Sequence, residues 1–294
     1  MIPFKNVFTE YAIIRGKRFT KKDKINFLAV LKKDFDSFGY PVEVVRKEEK
    51  MLGERLNYHN LYAGDLEKAQ TVFVTYYDTP ILEFNKGKYA PFTVKKPQFL
   101  SAFLPTLLLS LLFLMGFYFL LYPHVKDAGL FSVSGGLTFV VFFLWFLLLQ
   151  RVHLGVPRRE NFVRNTSSVL ALRHFAALHQ GDSRYAFAFV DAGTTNRVGE
   201  KMLQQVLKKK TKIVCLDAVI ATPETYLFTD QKVTPVENVI IRPKKDLPAW
   251  GDILITSGEE QAGKVLVDCN MKVFDLSEME QRLDDLSDIL ERIG

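Results

Sequence analysis

Thr71-Val-Phe-Val-Thr-Tyr-Tyr-Asp-Thr79 is the stretch from which the fold is read. From Thr71 to Tyr76 the side chains are apolar, aromatic or β-branched, with none of the in–out alternation of a half-exposed strand. Such a run is expected of a strand buried on both faces. Outward from it the same grammar recurs. Tyr185–Val190, Ile213–Ile220, Val239–Ile241, Ile253–Thr256 and Lys264–Val267 read as strands, and Val42–Val45 as a shorter candidate. Helical spacing lies between them. Thr20 with Asp23 forms a capping-box pattern ahead of Phe27, Leu28, Leu31, Phe35 and Phe38, ending at Gly39. Thr166 or Asn165 is placed to cap a helix through Val169, Leu170, Leu172, Phe175, Ala176 and Leu178, and a helix covers Met202–Leu207. Ser277 is placed to cap a last helix with Leu283, Leu286, Ile289, Leu290 and Ile293 on one face. Strands alternating with helices predict an α/β protein, a three-layer α/β/α domain around a mixed, largely parallel central sheet.

The pattern is interrupted. Over 294 residues the chain is 48% hydrophobic and 24% charged, ordinary globular values, yet residues 97–125 and 128–150 contain no charged side chain. A hydrocarbon core about 30 Å thick requires about 20 helical apolar residues, which residues 99–122 and 129–149 supply. With only Pro123–Ala128 between them, these two spans predict an antiparallel transmembrane hairpin, residues 97–150, with Pro105 near its start and Tyr118, Tyr122 and Trp145 as interfacial anchors. Ser132, Ser134, Gly135 and Gly136 are candidates for a close-packing helix face. Neither flanking segment suffices alone, so residues 1–96 and 151–294 are expected to form one discontinuous domain.

Basic residues orient the hairpin. Lys86, Lys88, Lys95 and Lys96 precede it and Arg151, Arg158 and Arg159 follow, against Lys126 alone in the loop. The expected location is therefore the cell membrane, two-pass, with both termini cytoplasmic. The amino-terminal residues lack the basic start and apolar stretch of a signal peptide, which agrees. A net charge of +6 then reads as attraction to an anionic inner leaflet. Lys208–Lys210 at a predicted helix end and Arg242–Lys245 in a loop give no nucleic-acid surface, and no nucleic-acid partner is expected. The only cysteines, Cys215 and Cys269, form no C-x-x-C pair, so neither a disulfide scaffold nor a cysteine-type zinc site is indicated.

Four segments in order carry a resemblance. Asn60-Leu-Tyr-Ala-Gly64 precedes Thr71–Thr79; Arg164-Asn-Thr-Ser-Ser-Val-Leu-Ala-Leu172 follows; then come Tyr185-Ala-Phe-Ala-Phe-Val-Asp-Ala-Gly-Thr-Thr-Asn-Arg-Val-Gly199 and Val214-Cys-Leu-Asp217. Together they resemble the zinc aminopeptidases of metallopeptidase family twenty-eight, clan MH. That resemblance implies an aminopeptidase-like fold and a site where two zinc ions are held by His, a bridging Asp, Glu, Asp and His, with a neighbouring Glu as general base. Such a site needs several anionic or imidazole ligands to offset the desolvation of two dications.

Carried over residue by residue, the resemblance implies a degenerate site. Tyr76 stands at the first His position, Arg164 at the bridging Asp, and Gly193 and Thr194 at the Glu pair. Asp217 keeps its ligand position, and Asp78 the place of the carboxylate that orients the first His. No histidine follows His179 to supply the last ligand, and Gly258-Glu-Glu-Gln-Ala-Gly263 lies in the wrong order for the Glu pair and reads as a solvated turn. His59, His124, His153, His174 and His179 are too scattered to rebuild a site. Neither a metal nor any other cofactor is expected, and no catalytic residue. Arg164 is expected to neutralise Asp78, Asp217 or both; the competing reading makes both carboxylates caps for backbone donors at strand ends. The implied function is a membrane-anchored pseudopeptidase, with the bilayer and a membrane protein as partners, acting as scaffold or regulator. The alternatives are an active membrane hydrolase with a rearranged site, or a complex subunit acting through its hairpin.

Overall fold

The protein, as a computed structural model, is described for all residues except 1–2, 52–53, 81–87, 94–98, 130, 154–156, 159–160, 209, 248 and 270–274. Lys86, Lys95, Lys96 and Arg159, four of the residues behind the expected orientation, lie outside the described residues. The chain falls into two compact units: an α/β unit of Met1–Pro80, Asn85–Val94 and Arg158–Gly294, and a helical unit of Ile81–Phe84 and Lys95–Pro157.

The α/β unit opens with α1 (Phe4–Phe8), which widens into a π-helical stretch, Thr9–Ile14. Helix α2 (Lys21–Ser37) starts at the capping box: the Asp23 amide donates to Thr20 and the Thr20 amide to Asp23. Then come β1 (Val42–Met51), β2 (Glu54–Ala63), β3 (Thr71–Tyr76) and the short β4 (Lys88–Tyr89). In the helical unit lie α3 (Phe99–Gly116), α4 (Tyr122–Ala128) and α5 (Val133–His153). The α/β unit resumes with α6 (Ser167–Leu178), β5 (Tyr185–Val190), α7 (Val198–Val206), β6 (Lys212–Leu216), β7 (Thr225–Thr229) and β8 (Val239–Arg242). It ends with β9 (Ile253–Ser257), β10 (Glu259–Gln261), β11 (Lys264–Asp268) and α8 (Leu276–Ile293).

Eight strands form one mixed sheet in the order β1-β2-β5-β3-β6-β9-β7-β8. Its centre, β5-β3-β6-β9, is parallel, as is the β7–β8 pair, whereas β1, β2 and the β9–β7 pairing are antiparallel. Alternate residues of the central strands feed two cores. Phe73, Phe187 and Phe189 meet α2, α6 and α8 on one face, while Val72, Val74, Ala186 and Ala188 meet Leu203 of α7 on the other. Rings interlock in the larger core: Phe73 lies 5.0 Å from Phe175, and Phe35 5.2 Å from Phe187. Each fully buried Phe is worth about 1.5–3 kcal/mol in transfer free energy, so this cluster dominates the unit's cohesion.

Several expected boundaries move. β6 stops at Leu216, because Asp217 and Ala218 turn away, Ala218 at φ +54° with its amide bonded to the Arg164 carbonyl. The C-terminal helix is capped by Asp275, which accepts from the Ser277 amide, so Ser277 is its second residue. Glu259 and Glu260 lie on the exposed strand β10, whose hairpin with β11 turns at Ala262 and Gly263, both at positive φ; the expected turn is thus shorter than residues 258–263. A second sheet, β10-β11-β4, carries this hairpin.

In the helical unit, Thr106–Ala128 is long and apolar enough to cross a bilayer, while the apolar part of α5, Val133–Leu149, is shorter. Pro123–Ala128, expected as the connecting loop, is instead helical. Pro123 falls in the first turn of α4, just after the π-helical stretch Phe117–Leu121, where its missing donor costs little. The reversal lies at Gly129, φ +85°, with Ser132 capping α5: the Gly135 amide donates to the Ser132 hydroxyl at 3.2 Å, and the Ser134 hydroxyl lies 2.7 Å from it. Trp145 stacks on Phe113 at 4.3 Å, and Phe142 meets both Phe113 and Phe117 at 5.0 Å, so Trp145 joins the helices to each other.

Candidate functional site

Strands β3, β5 and β6 run parallel in a register that pairs Tyr76 with Val190 and Val74 with Cys215, so their carboxyl ends deliver residues to one place. Tyr76 closes β3, Asp78 lies two residues on, Gly193 and Thr194 follow β5, and Asp217 follows β6. Arg164 comes from the π-helical turn Phe162–Thr166 that leads into α6. All six residues expected from the sequence assemble there.

Asp217 is buried, and both its oxygens accept from protein donors. Its Oδ1 accepts from the Tyr76 and Tyr89 hydroxyls, each at 2.7 Å, and its Oδ2 from the Phe92 amide at 2.9 Å. Burial, then the Asp217 charge, pushes both phenols well above their usual range, so they remain donors at any working pH. Arg164 approaches the same cluster from outside. Its Nε donates to the Tyr76 hydroxyl at 3.4 Å and its guanidinium carbon sits 4.4 Å from the Tyr89 ring centroid.

Among the described residues Arg164 makes no ion pair within 4.0 Å with Asp78 or Asp217, contrary to the expected direct neutralisation. The Tyr76 hydroxyl stands between cation and carboxylate, bonded to both. Asp78 is a backbone cap: its Oδ1 accepts from the Gly193 amide at 2.7 Å, and its Oδ2 from the Thr194 amide at 3.2 Å and the Thr194 hydroxyl. Burial raises its pKa and the Asp191 charge adds to this, against the pull of Lys24 and the hydrogen bonds from Thr194.

Gly193 and Tyr76 interlock. A Cβ on Gly193 would overlap Cβ and Cγ of Tyr76, so with this backbone the side chain at 76 and one at 193 exclude one another.

Behind the site lies a second charged layer that sequence reasoning missed. The Lys24 ammonium pairs with Asp191 at 2.5 Å, and Asp191 also accepts from the amides of His59 and Ala192. Arg18 is fully buried, donates to Asn165 Oδ1 at 2.8 Å and to the Thr166 hydroxyl, and lies 4.5 Å over the Phe27 ring. Burial lowers its pKa to about 9, with Asp78 opposing. In the sequence Arg18 is one basic residue in a Gly16-Lys-Arg run and carries no signal.

A cleft of about 30 Å³ opens beside Asp217, lined among others by Tyr89, Arg164, Arg197, Glu200, Cys215 and Trp250. Burial pushes the Glu200 carboxyl up to about 7, with Arg197 at 3.5 Å and a hydrogen bond with Trp250 opposing. Burial likewise raises the Cys215 thiol, which faces the Trp250 carbonyl at 3.6 Å.

These donors do not fit a pair of zinc ions. A ligand carboxylate must offer free lone pairs, whereas those of Asp217 and Asp78 accept from protein donors, and Arg164 adds a permanent cation. Among the described residues no three His, Cys, Asp or Glu side chains come together as a ligand group.

No family model and no curated protein matches the chain. Solved structures do. A Zn-dependent exopeptidase from Parabacteroides distasonis ATCC 8503 aligns with TM-score 0.54 at 10% identity over 98% of this chain and 96% of its own. A leucine aminopeptidase precursor from Bacteroides thetaiotaomicron VPI-5482 gives 0.54 at 11% over 96% and 94%. Porphyromonas gingivalis glutaminyl cyclase gives 0.52 at 13% over 97% and 94%. At such identities the likeness is one of fold: the chain has the mixed α/β, aminopeptidase-like fold found in zinc exopeptidases and glutaminyl cyclases.

Proposed function

We propose that the chain is a membrane-held pseudopeptidase, an aminopeptidase-fold protein without the di-zinc site, that acts as a scaffold or regulator of membrane-protein partners at the cytoplasmic face. The observation that carries this reading is the Asp217 carboxylate, whose acceptors are taken by Tyr76, Tyr89 and the Phe92 amide. The Tyr76–Gly193 interlock supports it: a glutamate at 193 would need this backbone to move away from residue 76, because its Cβ would overlap Cβ of Tyr76. Membrane attachment is supported by Thr106–Ala128. The two-pass topology, the single cytoplasmic domain of residues 1–96 and 151–294 and the cytoplasmic termini rest on the charge pattern of the sequence.

The test is elemental analysis of the purified full chain, together with turnover assays on aminoacyl and peptide reporters and on peptides with N-terminal glutamine, with and without added zinc. Sub-stoichiometric zinc and no turnover are the expected results. Near-stoichiometric zinc, or turnover abolished by chelator, overturns the reading.

A second reading, an active hydrolase with a rearranged site, draws on Glu200, because a carboxyl titrating near 7 in a cleft suits general acid–base work. Chelator-insensitive turnover lost in Glu200→Gln would favour it. The raised thiol of Cys215 makes a poor nucleophile for such a site.

A further inference from the structure

We propose that the cleft beside Arg164 receives a terminal carboxylate, and that its partner is the free C-terminus of a polypeptide. The inference deepens the binding role proposed above and rests on it.

Arg164 is half spoken for. Its Nε is used on the Tyr76 hydroxyl and the face of its guanidinium on the Tyr89 ring, which together fix the plane of the group. Nη1 and Nη2 have no hydrogen-bond partner among the described residues, and they line the cleft without being sealed from solvent as Arg18 Nε and Nη1 are. A guanidinium held in plane with its fork open is pre-organised for two parallel hydrogen bonds to a carboxylate.

The neighbouring charges do not compete for it. Arg197 and Glu200 answer each other at 3.5 Å, and Asp217 spends its acceptors on the two tyrosines and the Phe92 amide. The Asp217 charge acts on Arg164 across the Tyr76 hydroxyl but makes no hydrogen bond to it, so what stays open is the pair of donors on the fork.

Size and lining choose the ligand. About 30 Å³ holds a group of a few atoms, far below the ~300–1,000 Å³ of a site that encloses a whole small molecule, so the cleft admits the tip of something larger. Phe92 and Trp250 beside it offer apolar and aromatic surface for the last side chain of a peptide.

The experiment is fluorescence polarisation on the full chain in nanodiscs, with a dye-labelled Gly-Gly-Phe ending in a free carboxylate and the same peptide amidated. The acid form is expected to bind at least tenfold more tightly. Arg164→Gln should erase that preference, and Arg164→Lys, which keeps the charge and loses the fork, should fall between. The acid–amide comparison on the unaltered chain needs no variant, so it stands if Arg164→Gln fails to fold. Equal binding of acid and amide, or none for either up to millimolar concentration, overturns the proposal. So does displacement of the acid probe by acetate or inorganic phosphate at concentrations matching unlabelled peptide, which would make the cleft a receptor for small acids or for anions in general. Recovering the probe intact by mass spectrometry keeps the two readings apart: a cleaved probe defeats the pseudopeptidase reading, while the acid–amide preference still judges the carboxylate site.

Discussion

The Tyr76 hydroxyl donates to the Asp217 carboxylate at 2.7 Å, across 141 residues of chain. The residue at the position where the resemblance implies an imidazole ligand is thus a proton donor into the carboxylate that the same resemblance would have bind metal. With Tyr89 on the same oxygen and the Phe92 amide on the other, the carboxylate accepts from neutral donors alone.

Removing one of these donors should be costly. Tyr76→Phe leaves a buried carboxylate one charge-assisted hydrogen bond short and Arg164 Nε without its acceptor, a loss of about 1.5–3 kcal/mol. Urea unfolding of the purified chain measures it, and a double-mutant cycle with Asp217→Asn should return a coupling above about 0.5 kcal/mol.

Gly193→Ala tests the interlock. The new methyl group meets Cβ and Cγ of Tyr76, and overpacking of this kind costs about 1–3 kcal/mol. Combining it with Tyr76→Gly, which removes the Cβ that the new methyl meets first, should recover stability relative to the sum of the single changes, as read from thermal midpoints. Strict additivity would show that the two positions do not compete for space.

Glu200 gives the fold a pH dependence. Its folded pKa near 7 lies above the ordinary carboxylate value, so the stability it confers is complete below about pH 4.3 and is lost as pH climbs through 7. Glu200→Gln should therefore gain stability relative to the native chain between pH 5 and pH 8, by about 2 kcal/mol once partial exposure is allowed for. Thermal midpoints at the two pH values measure this, and a gain that shrinks with rising pH would contradict the assignment.

Lys24→Met should be severe. It strands Asp191, a fully buried carboxylate, and breaking a buried ion pair from one side costs about 3–5 kcal/mol. Lys24→Met with Asp191→Asn should be milder than Lys24→Met alone, again by urea unfolding.

How far the sequence could be read depended on how local the cause was. β3 and β5 match Thr71–Tyr76 and Tyr185–Val190 residue for residue, because strands buried on both faces announce themselves by composition. The Thr20–Asp23 box, a contact three residues apart, was equally plain. β2 escaped beyond its last residues, since its mix of charged and aromatic side chains follows from pairing with β1 as an antiparallel edge hairpin. The site divided along the same line. Its six expected positions came from the family resemblance carried by four ordered segments, but Tyr89 and Phe92 reach Asp217 from 128 and 125 residues away, and nothing near them in sequence marks them as donors. Glu200 reads as one more polar residue on an amphipathic helix, and only the burial around it makes it unusual. The expected Arg164–carboxylate pair failed because a tyrosine hydroxyl came between, a matter of side-chain reach that spacing does not encode.

The Arg158 amide donates to the Pro80 carbonyl at 3.0 Å, so the chain's last return to the α/β unit is tied to its first exit, with Asn85–Val94 passing through the same unit in between. Shortening the excursion should therefore leave every sheet strand its neighbours only if Asn85–Val94, which carries β4 and the donors Tyr89 and Phe92, is kept.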